Sequence, residues 1–246
     1  MIRPCESFEE LGDCVQLQKD VWGYPDRDVM PRRVFVVAQK IGGQVIGAFH
    51  GHALVGFALA LPGISREGPY LHSHMLAVDP VYRNRGIGRK LKLFQREEAL
   101  GRGIRRMEWT FDPLEIKNSF LNIAKLGTIA RRYAANFYGI SSSPLHGQVP
   151  TDRLYAEWWL DSDRVCAILD RDRTSAALVV QEEIAVPSQV AQWRHTHEDQ
   201  GRVLDIQTRN REHFEQAFAR HLAVVGFRMD EQGNGIFQLG RWQEPG

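Results

Sequence analysis

The chain of 246 residues has few cysteines, no long apolar run and almost no net charge. Cys5, Cys14 and Cys166 are odd in number and widely spaced, without a CxxC pair or a Cys/His zinc spacing. Neither a disulfide framework nor a metal site is expected, and a reducing cytoplasm fits this usage. The longest apolar stretch, near residues 53–61, is far short of a membrane span, and the start lacks a basic then apolar leader pattern. No membrane association is therefore expected. A formal charge of +1 supplies no global field for nucleic acid. What is present is globular in character: 43% hydrophobic and 25% charged residues, enough for one large domain or two modest ones. Charge is uneven, however, with 13 Lys and Arg against 5 Asp and Glu over residues 83–132. Such a surplus is either a set of solvated helix faces or a field for a polyanionic ligand.

The pattern predicts a strand at residues 2–4 and a helix towards Trp22, opened by the capping box of Ser7 and Glu10. A loop, a helix over 32–40, and a hairpin of strands 44–49 and 53–61 follow. Residues 62–69 read as a connection bearing Gly and Pro. Then come a strand over 70–78, a helix over 87–100 and a strand over 104–111, forming a β-α-β unit. Residues 114–126 read as a helix stopped at Gly127, with irregular helix to Phe137, a loop marked by Ser141, Ser142, Ser143, Pro144 and Gly147, and a strand over 153–160. The charged stretch 161–175 reads as a boundary, which gives a domain over 1–160 and a smaller α/β unit over 161–246. That unit is expected to hold a strand near 178–184, helices near 188–197 and 210–221, and a hairpin at Gly233, Asn234 and Gly235.

Arg83, Asn84, Arg85, Gly86, Ile87, Gly88 and Arg89 follow a strand and open a helix. Unpaired amides and the positive end of the dipole make such a turn an anion site, and glycine lets a phosphate reach the backbone. No Lys-Ser or Lys-Thr follows, as a P-loop needs, and Leu91 stands where a dinucleotide fingerprint needs glycine. Taken alone, the turn could equally be structural.

Leu76, Val78, Pro80, Arg83, Gly86 and Gly88 together resemble the L-x-V-x-P then R-x-x-G-x-G signature of the GNAT superfamily of N-acetyltransferases. That resemblance covers about the first two thirds of the chain. It implies an α/β (α+β) fold, a mixed central sheet flanked by helices, with acetyl-CoA or another acyl-CoA as cosubstrate and no metal. It further implies that amides from Arg85 to Arg89 hold the pyrophosphate, that Leu76, Ala77 and Val78 pair with the pantetheine arm, and that Asn118 and Lys125 line the other side. The segments LHSHMLAV, RNRGIGR and TDRLYAEWWL also look like a bacterial group of predicted acetyltransferases, some associated with N-acylamino acid racemases. N-succinylation of amino acids is thus an alternative.

Acyl transfer to an amine needs a base, an oxyanion donor and a means of protonating the thiolate. His72 and His74, by strand alternation, are expected on the face shared by Leu76 and Val78. The run from His72 to Val78 resembles the H-x-H-x-L-A-V of the serotonin N-acetyltransferase family, where two histidines are implicated in proton relay. His72 also matches the place of a Glu base in other GNAT members. Family analogy makes the Leu76 amide the oxyanion donor. Ile123 stands where the family often has an acid Tyr, which leaves Tyr138 and Tyr133 as substitutes. Arg32, Arg33 and Arg153 are candidates for a carboxylate on the acceptor. The expected acceptor is a small-molecule amine or amino acid, with a homodimer left open; a non-catalytic acyl-CoA sensor is the competing class.

Overall fold

The computed structural model describes residues 1–140, 149–170, 179–194 and 199–244. The expected loop at Ser141, Ser142, Ser143, Pro144 and Gly147 lies outside them. Two compact units divide the chain, Met1–Trp109 and Thr110–Gly246. Asp161, the expected boundary, falls inside the second.

In the first unit, β1 (Ile2–Pro4) leads to α1 (Phe8–Trp22), α2 (Arg32–Lys40), β2 (Gln44–His50), β3 (Ala53–Ser65), β4 (Gly68–Val78), α3 (Ile87–Gly101) and β5 (Arg106–Phe111), which crosses into the second unit. The strands lie in the order β1-β2-β3-β4-β5. Neighbours are antiparallel up to β4, and β4 with β5 is parallel. This is the mixed sheet that the sequence leads one to expect. Helix α1 begins where its capping box says: Ser7 Oγ accepts from the Glu10 amide at 3.2 Å and the Glu10 carboxylate accepts from the Ser7 amide. It ends on Gly23, whose φ of 64° only glycine adopts readily.

Helices on each face close two cores. Leu11, Cys14, Leu17 and Val21 of α1 and Phe35 and Ala38 of α2 pack with Val45, Phe57, Leu59 and Ala77. On the opposite face Leu91, Ile87 and Phe94 of α3 pack with Ile46, Ala48, Ala58, Leu76 and Val78. Residues 62–69 are not the expected connection, because β3 and β4 run on as a hairpin to Ser65↔Gly68. Pro62 is tolerated there because β2 ends opposite Ala60, so its missing N–H faces an edge.

In the second unit, a single helical turn, α4 (Ile116–Ser119), passes into a π-helix over Phe120–Lys125, in place of one continuous α-helix. The irregular helix expected up to Phe137 is instead extended as far as Ala134, with a turn following over 135–138. Ile129 and Ala130 bridge Glu157 and Val224, and β6 (Tyr133–Ala134) pairs with β7 (Arg153–Trp159). The expected linker contains α5 (Asp163–Leu169), capped by Ser162. Beyond it lie β8 (Glu182–Val186), α6 (Val190–Trp193), α7 (Gln200–Ala219) and the expected hairpin of β9 (Leu222–Met229) and β10 (Gly235–Arg241). These three strands form a sheet in the order β8-β10-β9.

Replacing Ser7 with Ala removes the acceptor for the Glu10 amide. Urea unfolding should show a loss of about 1 kcal/mol with an unchanged m-value.

Candidate active site on the fourth strand

Strand β4 carries one residue too many. Ala60 pairs with Ser73 and Leu59 with Met75, so His74 is the extra residue of a β-bulge. The bulge switches the facing of everything after it. Ser73 turns towards α3, where its hydroxyl donates to Gln95 Oε1 at 2.9 Å and accepts from Lys92 Nζ at 2.7 Å. Without the bulge Met75 would follow Ser73 to that side; instead Met75 and Ala77 pack with α1 and α2, and Leu76 and Val78 with α3. The expected common face of His72, His74, Leu76 and Val78 is therefore wrong. His72, opposite in facing to Ser73, belongs to the side of α1 and α2, and strict alternation fails at the inserted residue.

The two imidazoles stay close, with ring centroids 6.1 Å apart. His74 counts as exposed, yet enough protein surrounds it for desolvation to hold its pKa below the ordinary histidine value. It is neutral, and so able to accept a proton, at neutral pH.

Two ring contacts confirm which side each β4 and β5 side chain takes. Lys92 of α3 places Nζ 3.4 Å from the Trp109 ring centre, so Trp109 faces α3. Arg106 lies over the ring of Tyr70 at 5.1 Å. Tyr70 and Arg106 share the face of His72 and Glu108, two residues on in each strand.

The described pairing of β4 with β5 comprises Leu71↔Met107 and His72↔Glu108. Beyond it β4 runs on to Val78 beside β3. The Asp79 amide donates to Val55 O at 3.0 Å, so by antiparallel alternation the amides of Ala77 and Met75 also point to β3. The Leu76 and Val78 amides point the other way, to the side where β5 no longer pairs. Val78 O accepts from Arg83 Nε at 3.2 Å, which ties the following turn to the strand end.

In that turn Asn84 and Gly86 have φ of 61° and 75°. A side chain on Gly86 would meet nothing within 4 Å, whereas one on Gly88 would touch Leu76 and Val78 at ordinary contact distance. Lys90 N–H to Gly86 O, 3.0 Å, is the first helical bond. The amides of Ile87, Gly88 and Arg89 therefore begin α3 without helical partners. Arg83, Asn84, Arg85 and Gly86 are exposed, and Arg85 leans over Tyr82. The basic surplus over 83–132 is otherwise dispersed: Lys92 is buried, Arg102 pairs with Glu98, Arg106 with Glu67, and Arg131 and Arg132 with Glu157.

Arg32 and Arg33 are exposed on the first turn of α2, Arg32 over the Phe8 ring. In the second unit Asn118 and Lys125 are exposed, and Lys125 lies over Phe120. Tyr133 donates to Asp152 at 2.7 Å, and burial with that carboxylate pushes its phenol far up, which makes it a poor acid. Tyr138 is exposed, its hydroxyl 3.3 Å from Thr110 Oγ1 at the end of β5. Arg153 is buried, bonded to Asp152 O, 3.7 Å from the Asp112 carboxylate and stacked over Tyr138. Among the described residues, no group of three or more His, Cys, Asp or Glu could hold a metal, and no helix is long and apolar enough to cross a membrane.

Residues 11–118 match the model of the Acetyltransferase (GNAT) family. Over those residues the chain is similar to the GNAT acetyltransferases. Solved structures show the same fold. The ribosomal-protein-S18-alanine N-acetyltransferase of Escherichia coli aligns at 16% identity and TM-score 0.53, over 66% of this chain and 94% of that one. An N-acetyltransferase of Staphylococcus aureus aligns at 20% and 0.53, over 65% and 98%. The Salmonella typhimurium protein yncA, determined with its cofactor acetyl-CoA, aligns at 16% and 0.54, over 66% and 94%. Among curated proteins no sequence match was found.

Sequence reasoning allowed for a bulge in this strand but missed the roles of Ser73 and Lys92. Lys92 is 2% exposed, and burial holds its pKa well below the usual lysine value. One acceptor, Ser73 Oγ, and one ring face suit an amine better than an ammonium with three donors. A depressed folded pKa gives a contribution fully present above the unfolded value near ~10.4 and lost as pH falls through the folded one. Lys92→Met should therefore gain stability relative to wild type as pH is lowered from about 10.4. Paired urea titrations across that range test this, and a constant difference would show no shifted lysine.

Proposed function

We propose that the protein transfers an acyl group, acetyl in the first instance, from acyl-coenzyme A directly to a small primary amine or amino acid, with His72 as general base. The observation that carries this reading is the outward-turned Leu76 amide, followed within ten residues by the glycine turn that starts α3. The pyrophosphate lies on the amides of Arg85 to Arg89, with Arg83 and Asn84 beside it, and the pantetheine arm runs along Leu76, Ala77 and Val78. The amine nitrogen attacks the thioester carbon, forming the C–N bond while the oxyanion takes the Leu76 N–H. Collapse breaks the C–S bond, the ammonium proton passes to His72, and exposed His74 hands it to solvent.

Asn118, Lys125 and Tyr138 enter this reading through the family resemblance alone. Coenzyme A has a thiol of ordinary acidity, near ~8.5, so Tyr138 or solvent suffices to protonate it. For an acidic acceptor Arg32 and Arg33 are the free cations, since Arg153 is already engaged with Asp152, Asp112 and Tyr138. A catalytic domain over residues 1–160, with 161–246 as an extension, is the division proposed. A cytoplasmic enzyme without metal is the setting proposed.

Acetyl-CoA should raise the melting temperature of the wild type. Gly86→Trp, which blocks backbone approach, should lose that rise, and its positive φ should also lower the melting temperature of the unliganded variant. An unmoved wild-type transition at saturating acetyl-CoA would refute the cofactor site.

The double variant His72→Ala with His74→Ala should keep the acetyl-CoA-induced rise while turnover falls ~10²–10⁴-fold. A panel of amino acids and small amines with acetyl-CoA and succinyl-CoA, read by free thiol, supplies the acceptor and acyl chain. Thiol release indifferent to every amine would favour the sensor reading.

A further inference from the structure

The His72↔Glu108 pair is the last described step of the β4–β5 ladder before the two strands cease to pair. Residues paired across parallel strands lie about 5 Å apart and point to the same face. That face is fixed independently: Lys92 puts Trp109 on the α3 side, and the Arg106–Tyr70 contact puts the residues alternating with Trp109 and Ser73 on the other. Glu108 is therefore the direct lateral neighbour of His72, and it is buried, 6% exposed. A carboxylate in that position is withdrawn from water beside an imidazole, an arrangement whose cost is offset when the ring donates a hydrogen bond to it.

We propose that Glu108 is the positioning residue for His72, its carboxylate accepting one ring N–H so that the other ring nitrogen faces the acceptor amine as a proton acceptor. This inference rests on the reading of His72 as base. The carboxylate fixes the tautomer and the ring plane, and it stabilises the imidazolium that forms once the amine proton is taken. The proton goes from the amine nitrogen to the free ring nitrogen, and none passes to Glu108.

Other groups facing His72 leave this role to Glu108. From β4 the neighbours on that face are Tyr70, beneath Arg106, and His74 at the bulge. From β5 Arg106 is paired with Glu67 and bonded to Ser65. From β3 the register partner is Leu61. Helices α1 and α2 turn Leu11, Cys14, Leu17, Val21, Phe35 and Ala38 to the sheet. The register thus sets one carboxylate directly beside His72.

The test follows the His72 ring by NMR in histidine-labelled protein, its signal assigned by its loss in His72→Ala. Glu108→Gln should lower the His72 titration midpoint by about one unit or more. It should also reduce turnover of acetyl-CoA with the best amine of the panel at least tenfold and leave KM for acetyl-CoA unchanged. Glu108→Asp, which keeps the charge on a shorter arm, should restore part of both effects and covers the case in which the amide variant does not fold. In a His72→Ala background Glu108→Gln should cost no further turnover. An unmoved midpoint in the folded variants overturns the proposal, as does a turnover loss that persists without His72. If His72→Ala itself leaves turnover intact, the base reading fails while the ring titration still reports on the pair.

Discussion

One inserted residue in β4 governs what the rest of the site can do. His74 has no partner on β3, and its presence reverses the facing of every later residue of the strand. Because of it, Leu76 and Val78 anchor α3 while Met75 and Ala77 serve the core beneath α1 and α2. An unbulged strand would send Leu76 and Val78 to the face of His72 and leave α3 with the wrong side chains. The bulge is thus the condition under which one strand holds α3 on one side and presents His72 on the other.

An insertion of this kind needs something to fix it, since a register slip by one residue would exchange the two faces. The fixing group is the buried polar hub of Ser73, Lys92 and Gln95, immediately before the inserted residue. Gln44 extends the hub, donating to Gln95 O and to the Glu98 carboxylate. Apolar packing alone would let α3 slide along the sheet, but these hydrogen bonds are satisfied in one register only. Lys92 is six residues from Gly86, about 9 Å along the helix axis. Fixing Lys92 to Ser73 therefore fixes where the free amides at the start of α3 stand relative to Leu76. The cost of a buried amine and of unpaired Gln44 Oε1 and Gln95 Nε2 falls on the element that sets the distance from the start of α3 to Leu76.

What the sequence made legible follows the range of each signal. The capping box, α2, the first hairpin and the glycine turn are local, and their residues suffice to define them. Alternation across β4 failed because it assumes a period of two, and nothing in the run of His72 to Val78 marks where a residue is inserted. Pro62 and Gly63 read as loop because proline excludes a central strand, yet β2 had already ended. Ile129 and Ala130 are extended because Glu157 and Val224 pair with them, partners that no window around them contains. The helix α5 was legible from Ser162, whose hydroxyl accepts from the Val165 amide, but the charge of the stretch outweighed that cap. Glu108 carried no signal at all, being one acid in a basic segment until the β4–β5 register placed it.

The proposed reaction makes unequal demands on the protein. Thiolate departure asks little of the protein, because a thiol near ~8.5 is already a good leaving group at neutral pH. The phenol of Tyr133 is bonded to Asp152 and serves the packing of the second unit, where Arg211 closes the same carboxylate. Taking the proton from the amine nitrogen once it has attacked is the harder demand, since that nitrogen must lose its positive charge to a base. It calls for a base that stays neutral before the step and tolerates charge after it. In the proposed reaction a histidine beside a buried carboxylate, with a second histidine leading to solvent, would meet that demand. The Leu76 amide on the same strand would meet the other, for a donor to the oxyanion, at no cost in reorganisation.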